Sequence, residues 1–222
     1  MTLEPLTAER RRQQTRDYLL QAAAQVFAER GFHGASLDEV AAAAGYTKGA
    51  VYSNFKNKED LFLALLEAGY SRERVALRET LEASEIPPEA RLGDFAALIR
   101  SELDQAPDNW GSLYLEFSLY AMRNPAVRER LNELEAEDIR GVADIIESGQ
   151  NRLGAESGEE GEGEPGEQEE PTEEAMTQAR LVTALFRGIS LMRSLDPDAV
   201  GPELLEDAIA FATRGLGVAT PE

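Results

Sequence analysis

Residues 36–62 read SLDEVAAAAGYTKGAVYSNFKNKEDLF, a run that holds three helix starts and two interruptions. Ser36 followed three residues later by Glu39 is a capping box: the serine oxygen accepts an amide of the first turn, and the glutamate reaches back to the serine amide. A helix therefore begins near Leu37, turns Leu37, Val40, Ala41 and Ala44 inward, and ends at Gly45. Thr47 is the next N-cap candidate, and Val51 and Phe55 are the buried positions of a helix only about two turns long. Helix nucleation is costly, so this short element must be held by its neighbours. From Glu59 onward Leu61, Phe62, Leu65, Leu66, Gly69, Val75 and Leu77 predict a longer helix that continues past Tyr70. Upstream, Leu19, Ala22, Ala23, Val26 and Phe27 keep helical spacing, and Gly31 is placed to stop that first helix.

Further along, Pro87 and Pro88 mark a break, after which Leu92, Phe95, Ala96, Ile99 and Leu103 predict an amphipathic helix ending before Pro107. Trp110, Leu113, Tyr114 and Phe117 recur at i, i+3, i+4 and i+7, and Asn124-Pro125 supplies an N-cap and a proline at N1 for the helix that follows. Residues 155–174, AESGEEGEGEPGEQEEPTEE, contain ten Glu, four Gly and two Pro and no large apolar side chain. Such a segment cannot bury enough surface to offset its ordering entropy, so a disordered acidic loop is expected there. Beyond it, Ala179, Val182, Leu185, Phe186, Ile189 and Met192 line one helix, and Leu205, Ala208, Ile209, Ala212 and Leu216 another. Two apolar helices at the end of the chain predict packing between subunits. No segment alternates with a period of two, so the fold class is all-α.

Composition narrows the chemistry. The 222 residues include no cysteine and one histidine, His33, which excludes disulfides, thiol catalysis and thiolate zinc sites and disfavours a histidine relay or multi-histidine metal site. No catalytic residue, metal or cofactor is expected. The start of the chain lacks a signal-peptide core, and no run of about 18 apolar residues occurs, so neither export nor a membrane is expected and a cytoplasmic location follows. A net charge of −20 argues at first against nucleic acid, but residues 1–60 balance eight Lys+Arg against eight acids. The excess belongs to the remainder of the chain, with 14 basic against 34 acidic residues.

A helix that ends in glycine, a tight turn and a short helix opening on a hydroxyl residue is a helix-turn-helix, whose second helix enters the DNA major groove by its N-terminal residues. Tyr46, Thr47 and Lys48 stand at that N-terminus; Gly49 and Ala50 permit close approach, and Tyr52 and Asn54 place hydrogen-bonding tips one turn later. Arg10, Arg11, Arg12 and Arg16 precede the motif as a basic arm suited to phosphate or minor groove.

These residues resemble the DNA-binding signature of TetR-type transcriptional regulators, which runs from a capped second helix through a glycine turn to Tyr-x-x-Phe, here Tyr52 to Phe55, and Lys-[DE]-x-Leu, here Lys58 to Leu61. The likeness covers about residues 10–65, including AAAQVFAERGFHGAS before the capped helix. It implies that Tyr46, Thr47, Lys48, Gly49, Ala50, Tyr52, Ser53 and Asn54 face a double-stranded DNA operator, with Ser36 and Lys58 on flanking phosphates; Asn54 stands where many members have histidine. It also implies a three-helix DNA-binding domain over residues 1–58 and a helical ligand-binding and dimerisation bundle over 59–222. The last two helices would pair in a homodimer, and a small-molecule effector would release a palindromic operator, which describes a repressor.

Trp110, Tyr114, Phe117 and Phe186 are readable either as core or as walls of the effector pocket. Glu116 is readable as a solvent-facing or ion-paired residue, as the partner of a cationic ligand, or as the acid or base of an enzyme built on the bundle. A ligand-binding module that has lost DNA binding is the other rival, against which intact Thr47, Lys48, Tyr52 and Lys58 argue.

Overall fold

A computed structural model describes residues 7–82, 110–157 and 170–196 and scattered positions from 198 to 211. Among the described residues there are seven helices and no strand: α1 Ala8–Gly34, α2 Leu37–Ala44, α3 Lys48–Asn54, α4 Lys58–Glu82, α5 Trp110–Arg123, α6 Pro125–Ser157 and α7 Glu173–Leu195. The all-α reading holds. The helix expected around Leu92–Leu103 lies outside the described residues, as do most of the acidic segment and part of the last helix. At its edges the acidic loop is shorter than expected: α6 continues through Ser157 and α7 starts at Glu173, capped by the Thr172 hydroxyl. Glutamate is a good helix former, so a Glu-rich flank extends a helix as readily as a loop.

Of the described residues, those within 1–69 and 113–131 form one compact unit, and those within 70–112 and 132–222 the other. The first unit therefore takes in more than the 1–58 stretch suggested by the motif. Its core is aromatic: Phe27, Phe32, Phe62 and Phe117 are all at most 1% exposed. Phe27 and Phe62 meet edge to face at 5.1 Å, Phe32 and Phe117 at 4.9 Å, and Phe62 and Phe117 stack at 4.2 Å. Such pairs add about 0.5–1.5 kcal/mol each beyond the area they bury. Leu19, Ala23, Val40, Val51, Phe55, Leu61 and Leu66 complete the core, and they include the inward positions of all four leading helices.

In the second unit, Ala143 and Ile146 of α6 and Ala175 and Ala179 of α7 are buried together, with Ile139, Val142 and Met176 against them. A tighter contact brings α5 to α7. A Cβ added at Gly111 would stand 2.8 Å from the Ser190 carbonyl oxygen and 2.5 Å from Ser194 Oγ. The serine can turn away; the backbone cannot. Gly111→Ala is therefore expected to destabilise the second unit by about 1–3 kcal/mol, outweighing the gain of up to about 1 kcal/mol that alanine brings to a helix. A thermal melt checks this, and a midpoint equal to or above that of the parent protein would refute the contact.

Candidate nucleic-acid interface

The surface around α3 is built by local hydrogen bonds. Ser36 Oγ accepts the Glu39 amide at 3.3 Å while the Ser36 amide donates to Glu39 Oε2 at 3.0 Å, closing the capping box. The Ser36 hydrogen bonds, with Arg30 and Lys58 nearby, hold the Glu39 carboxyl below its ordinary range. At the far end of α2, Gly45 adopts φ 72° and ψ 23°; its amide bonds to the Ala42 carbonyl, and the Tyr46 amide reaches back to Ala41 at 2.9 Å. A left-handed residue followed by these two reversed bonds closes a helix and redirects the chain at once. Two residues later Thr47 caps α3, its Oγ accepting the Ala50 amide at 3.2 Å. Buried Val51 and Phe55 anchor this seven-residue helix.

The side chains expected on DNA do not all point outward. Thr47, Lys48, Gly49, Tyr52 and Ser53 are exposed, and Tyr46 and Ala50 are half-buried. Tyr52 is 58% exposed although it is a large aromatic, which leaves its ring available to a partner. Gly49 is informative in a different way: a Cβ there would meet nothing nearer than Thr47 Oγ at 3.7 Å, so packing within the chain does not require glycine. Ser53 Oγ and Asn54 Nδ2 both donate to the Ala50 carbonyl, at 2.9 and 2.8 Å, and so turn back onto their own helix. Tyr46 has the Tyr18 ring 6.4 Å away.

Lys48, Lys58 and Arg16 each have intramolecular partners. Lys48 pairs with Asp38 of α2, both side chains remaining at least half exposed. Lys58 Nζ donates to the carbonyls of His33 and Ala35, at 3.1 and 2.9 Å, and lies 4.8 Å from the centre of the Phe32 ring. Arg16 donates to the Asn54 carbonyl at 3.5 Å and stands 4.7 Å over the Phe55 ring, closing the C-terminal end of α3. The sequence offered Arg16 as part of the basic arm and gave no sign of this contact, nor of Asp38 beside Lys48. Exposed Arg10, Arg11, Arg12 and Lys56 complete the basic surface.

Of the four residues considered for an effector pocket, Phe117 is fully buried in the aromatic core, Tyr114 and Phe186 are half-buried on α5 and α7, and the Trp110 side chain lies outside the described residues. Glu116 meets backbone: its two carboxylate oxygens accept the amides of Phe32 and His33. Among the described residues no group of acidic and histidine side chains is arranged to hold a metal ion, and no helix is long and apolar enough to cross a membrane.

Comparison with known proteins agrees with this geometry. Residues 19–65 match the family model described as bacterial regulatory proteins, tetR family. The HTH-type transcriptional repressor DhaR of Mycobacterium sp. (strain GP1) is 33% identical over 103 residues, 46% of this chain and 52% of that protein. The HTH-type transcriptional repressor NicS of Pseudomonas putida is 30% identical over 139 residues, 61% of this chain and 63% of its own length. The chain thus spans about half to two thirds of these curated relatives. Among solved structures, Salmonella enterica GusR shares the fold with a TM-score of 0.63 at 24% identity, over 96% of this chain and all of that one. The capped α2, the glycine turn and the short α3 all fall inside the residues that match the model of the tetR family of bacterial regulatory proteins.

Proposed function

We propose that the protein is a DNA-binding transcriptional regulator that reads a palindromic operator as a homodimer, and that it is a cytoplasmic repressor released by a small-molecule effector. The observation that carries the reading is the outer face of α3, where Gly49 leaves space that no described residue fills and Tyr52 stands exposed beside Thr47 and Lys48. Surface of this kind suits the edge of a base pair or a phosphate. Ser36 and Lys58 flank it on the phosphate side. DhaR and NicS are both named transcriptional repressors, which supports the sign of regulation. Support for the homodimer comes from α7, where Leu181, Met192 and Leu195 recur on one face and are 67%, 48% and 77% exposed in the single chain. A bundle over residues 59–222 that binds the effector belongs to the same proposal, with Trp110, Tyr114, Phe117 and Phe186 as the residues to probe.

Incubation with randomised duplexes at moderate salt, followed by sequencing of the retained fraction, tests the reading. A two-fold symmetric consensus is expected; no enrichment by refolded protein, free of any co-purified effector, would refute it. Gly49→Ala sharpens the test because its two effects have opposite signs. Alanine gains up to about 1 kcal/mol of helix stability and meets no clash within the chain. The same methyl obstructs close approach of DNA, and affinity is expected to fall about tenfold or more, within the 1–3 kcal/mol typical of one base contact. Unchanged affinity by fluorescence anisotropy would remove Gly49 from the interface.

A further inference from the structure

The corner between α1 and α2 is held by two side chains distant in sequence, Glu116 and Lys58. At Gly31, φ 70° and ψ 171° break α1. The next two amides turn toward α5: Phe32 N donates to Glu116 Oε2 at 2.9 Å, and His33 N donates to Glu116 Oε1 at 2.8 Å. One carboxylate spanning two successive amides is a charge-assisted pair, roughly twice as strong as neutral hydrogen bonds. Gly31 also admits it sterically, since a Cβ there would lie 2.7 Å from Glu116 Oε2. At the same corner the Lys58 ammonium holds the carbonyls of His33 and Ala35. The next residue is Ser36, where the capping box starts α2. An anion on the amides and a cation on the carbonyls thus fix the point from which α2, and through its glycine turn α3, leaves the core.

We propose that Glu116 is a positioning residue for DNA reading: by holding the Phe32 and His33 amides it sets the angle at which α2 and α3 are presented. The proposal rests on the DNA-binding reading above. A residue that served only general stability would, when removed, lower the folded fraction and leave the folded head reading as before. A positioning residue would instead change what the folded head can distinguish. The side chain introduced by E116Q keeps one acceptor oxygen but turns an NH2 group toward the second amide, so this variant should recover part of the contact.

The test compares the parent protein, E116A, E116Q and a stability control, Leu131→Ala, whose side chain is buried in the same unit. Affinities are measured well below every unfolding midpoint, on the duplex that the parent selects and on a scrambled duplex of equal length. Expected is a loss of about tenfold or more by E116A on the selected duplex with the scrambled one unchanged within about twofold, a scale set by single specific contacts. E116Q should fall between, Leu131→Ala should match the parent on both duplexes, and amide exchange at Phe32 and His33 should accelerate in E116A. The proposal is overturned if E116A reads the selected duplex like the parent, or if it loses both duplexes alike. If the parent selects no duplex at all, the DNA-binding reading itself fails and the proposal falls with it.

Discussion

Phe117→Ala is expected to destabilise the unit containing α1, α2 and α3 by about 3–5 kcal/mol, the range for removing a fully buried phenylalanine. The ring is 0% exposed, stacked on Phe62 at 4.2 Å and edge-on to Phe32 at 4.9 Å, so truncation leaves a cavity bounded by rigid aromatic faces that cannot collapse into it. Domain stabilities are commonly about 5–15 kcal/mol, so a loss of this size unfolds a sizeable fraction of the molecules near growth temperature. Denaturant unfolding followed by the near-ultraviolet aromatic signal checks it. Phe117 was also readable as a wall of an effector pocket. A variant with an unchanged midpoint and an altered effector response would restore that reading.

Arg74→Met is the second large effect, and its size depends on pH. Asp138 is 6% exposed and accepts from Arg74 Nη1 at 2.6 Å; Gly141 makes room, since a Cβ there would touch the Arg74 side chain at 2.6 Å. Arg187 is 4.0 Å from Asp138 and 3.2 Å from Glu135. Burial pushes the Asp138 carboxyl above the ordinary value of 3.8, more strongly than Arg74 and Arg187 pull it down. A raised folded-state pKa means that any stabilisation from this group is complete below 3.8 and is lost as pH rises through the folded value. Without Arg74 the ionised carboxylate loses its main counter-charge, and about 3 kcal/mol is expected at pH 7, near the lower end for breaking a buried pair. Protonation relieves that cost, so the difference between variant and parent should shrink as pH falls toward 4. Urea unfolding at the two pH values checks this; a pH-independent difference would mean that Arg74 acts through packing alone. Asp138→Leu added to Arg74→Met should recover much of the loss.

The parts of the molecule that could be read from the sequence are those whose chemistry is local. Ser36 with Glu39, Gly45 after four alanines, and Thr47 ahead of Val51 and Phe55 each declare a helix boundary within three or four residues, and the structure places all of them as expected. Periodicity likewise revealed the long α4 and the start of α5 at Trp110. What could not be read joins residues far apart. Glu116 meets amides more than eighty positions upstream, Lys58 meets carbonyls more than twenty upstream, and Arg74 meets Asp138 across 64 positions. Periodicity identifies the face on which such a side chain lies and not the backbone group it will find there. Gly31 shows the same limit: it interrupts α1 as expected, but the helix resumes for one more turn because Glu116 receives the amides released by the break.

The two glycines with positive φ predict opposite outcomes in a saturation library. Gly45 sits in the ordinary left-handed region, and a Cβ there would have nothing within 4 Å, so the only barrier is the dihedral preference of the incoming residue. Asparagine visits that region readily, and Gly45→Asn clones should survive selection for function while branched residues are depleted. Gly31, at ψ 171°, occupies a region essentially restricted to glycine, and its missing side chain is also the space through which a carboxylate passes. No second residue satisfies both demands, so position 31 should return glycine alone, and its tolerance should not widen even in a background where Glu116 has been shortened.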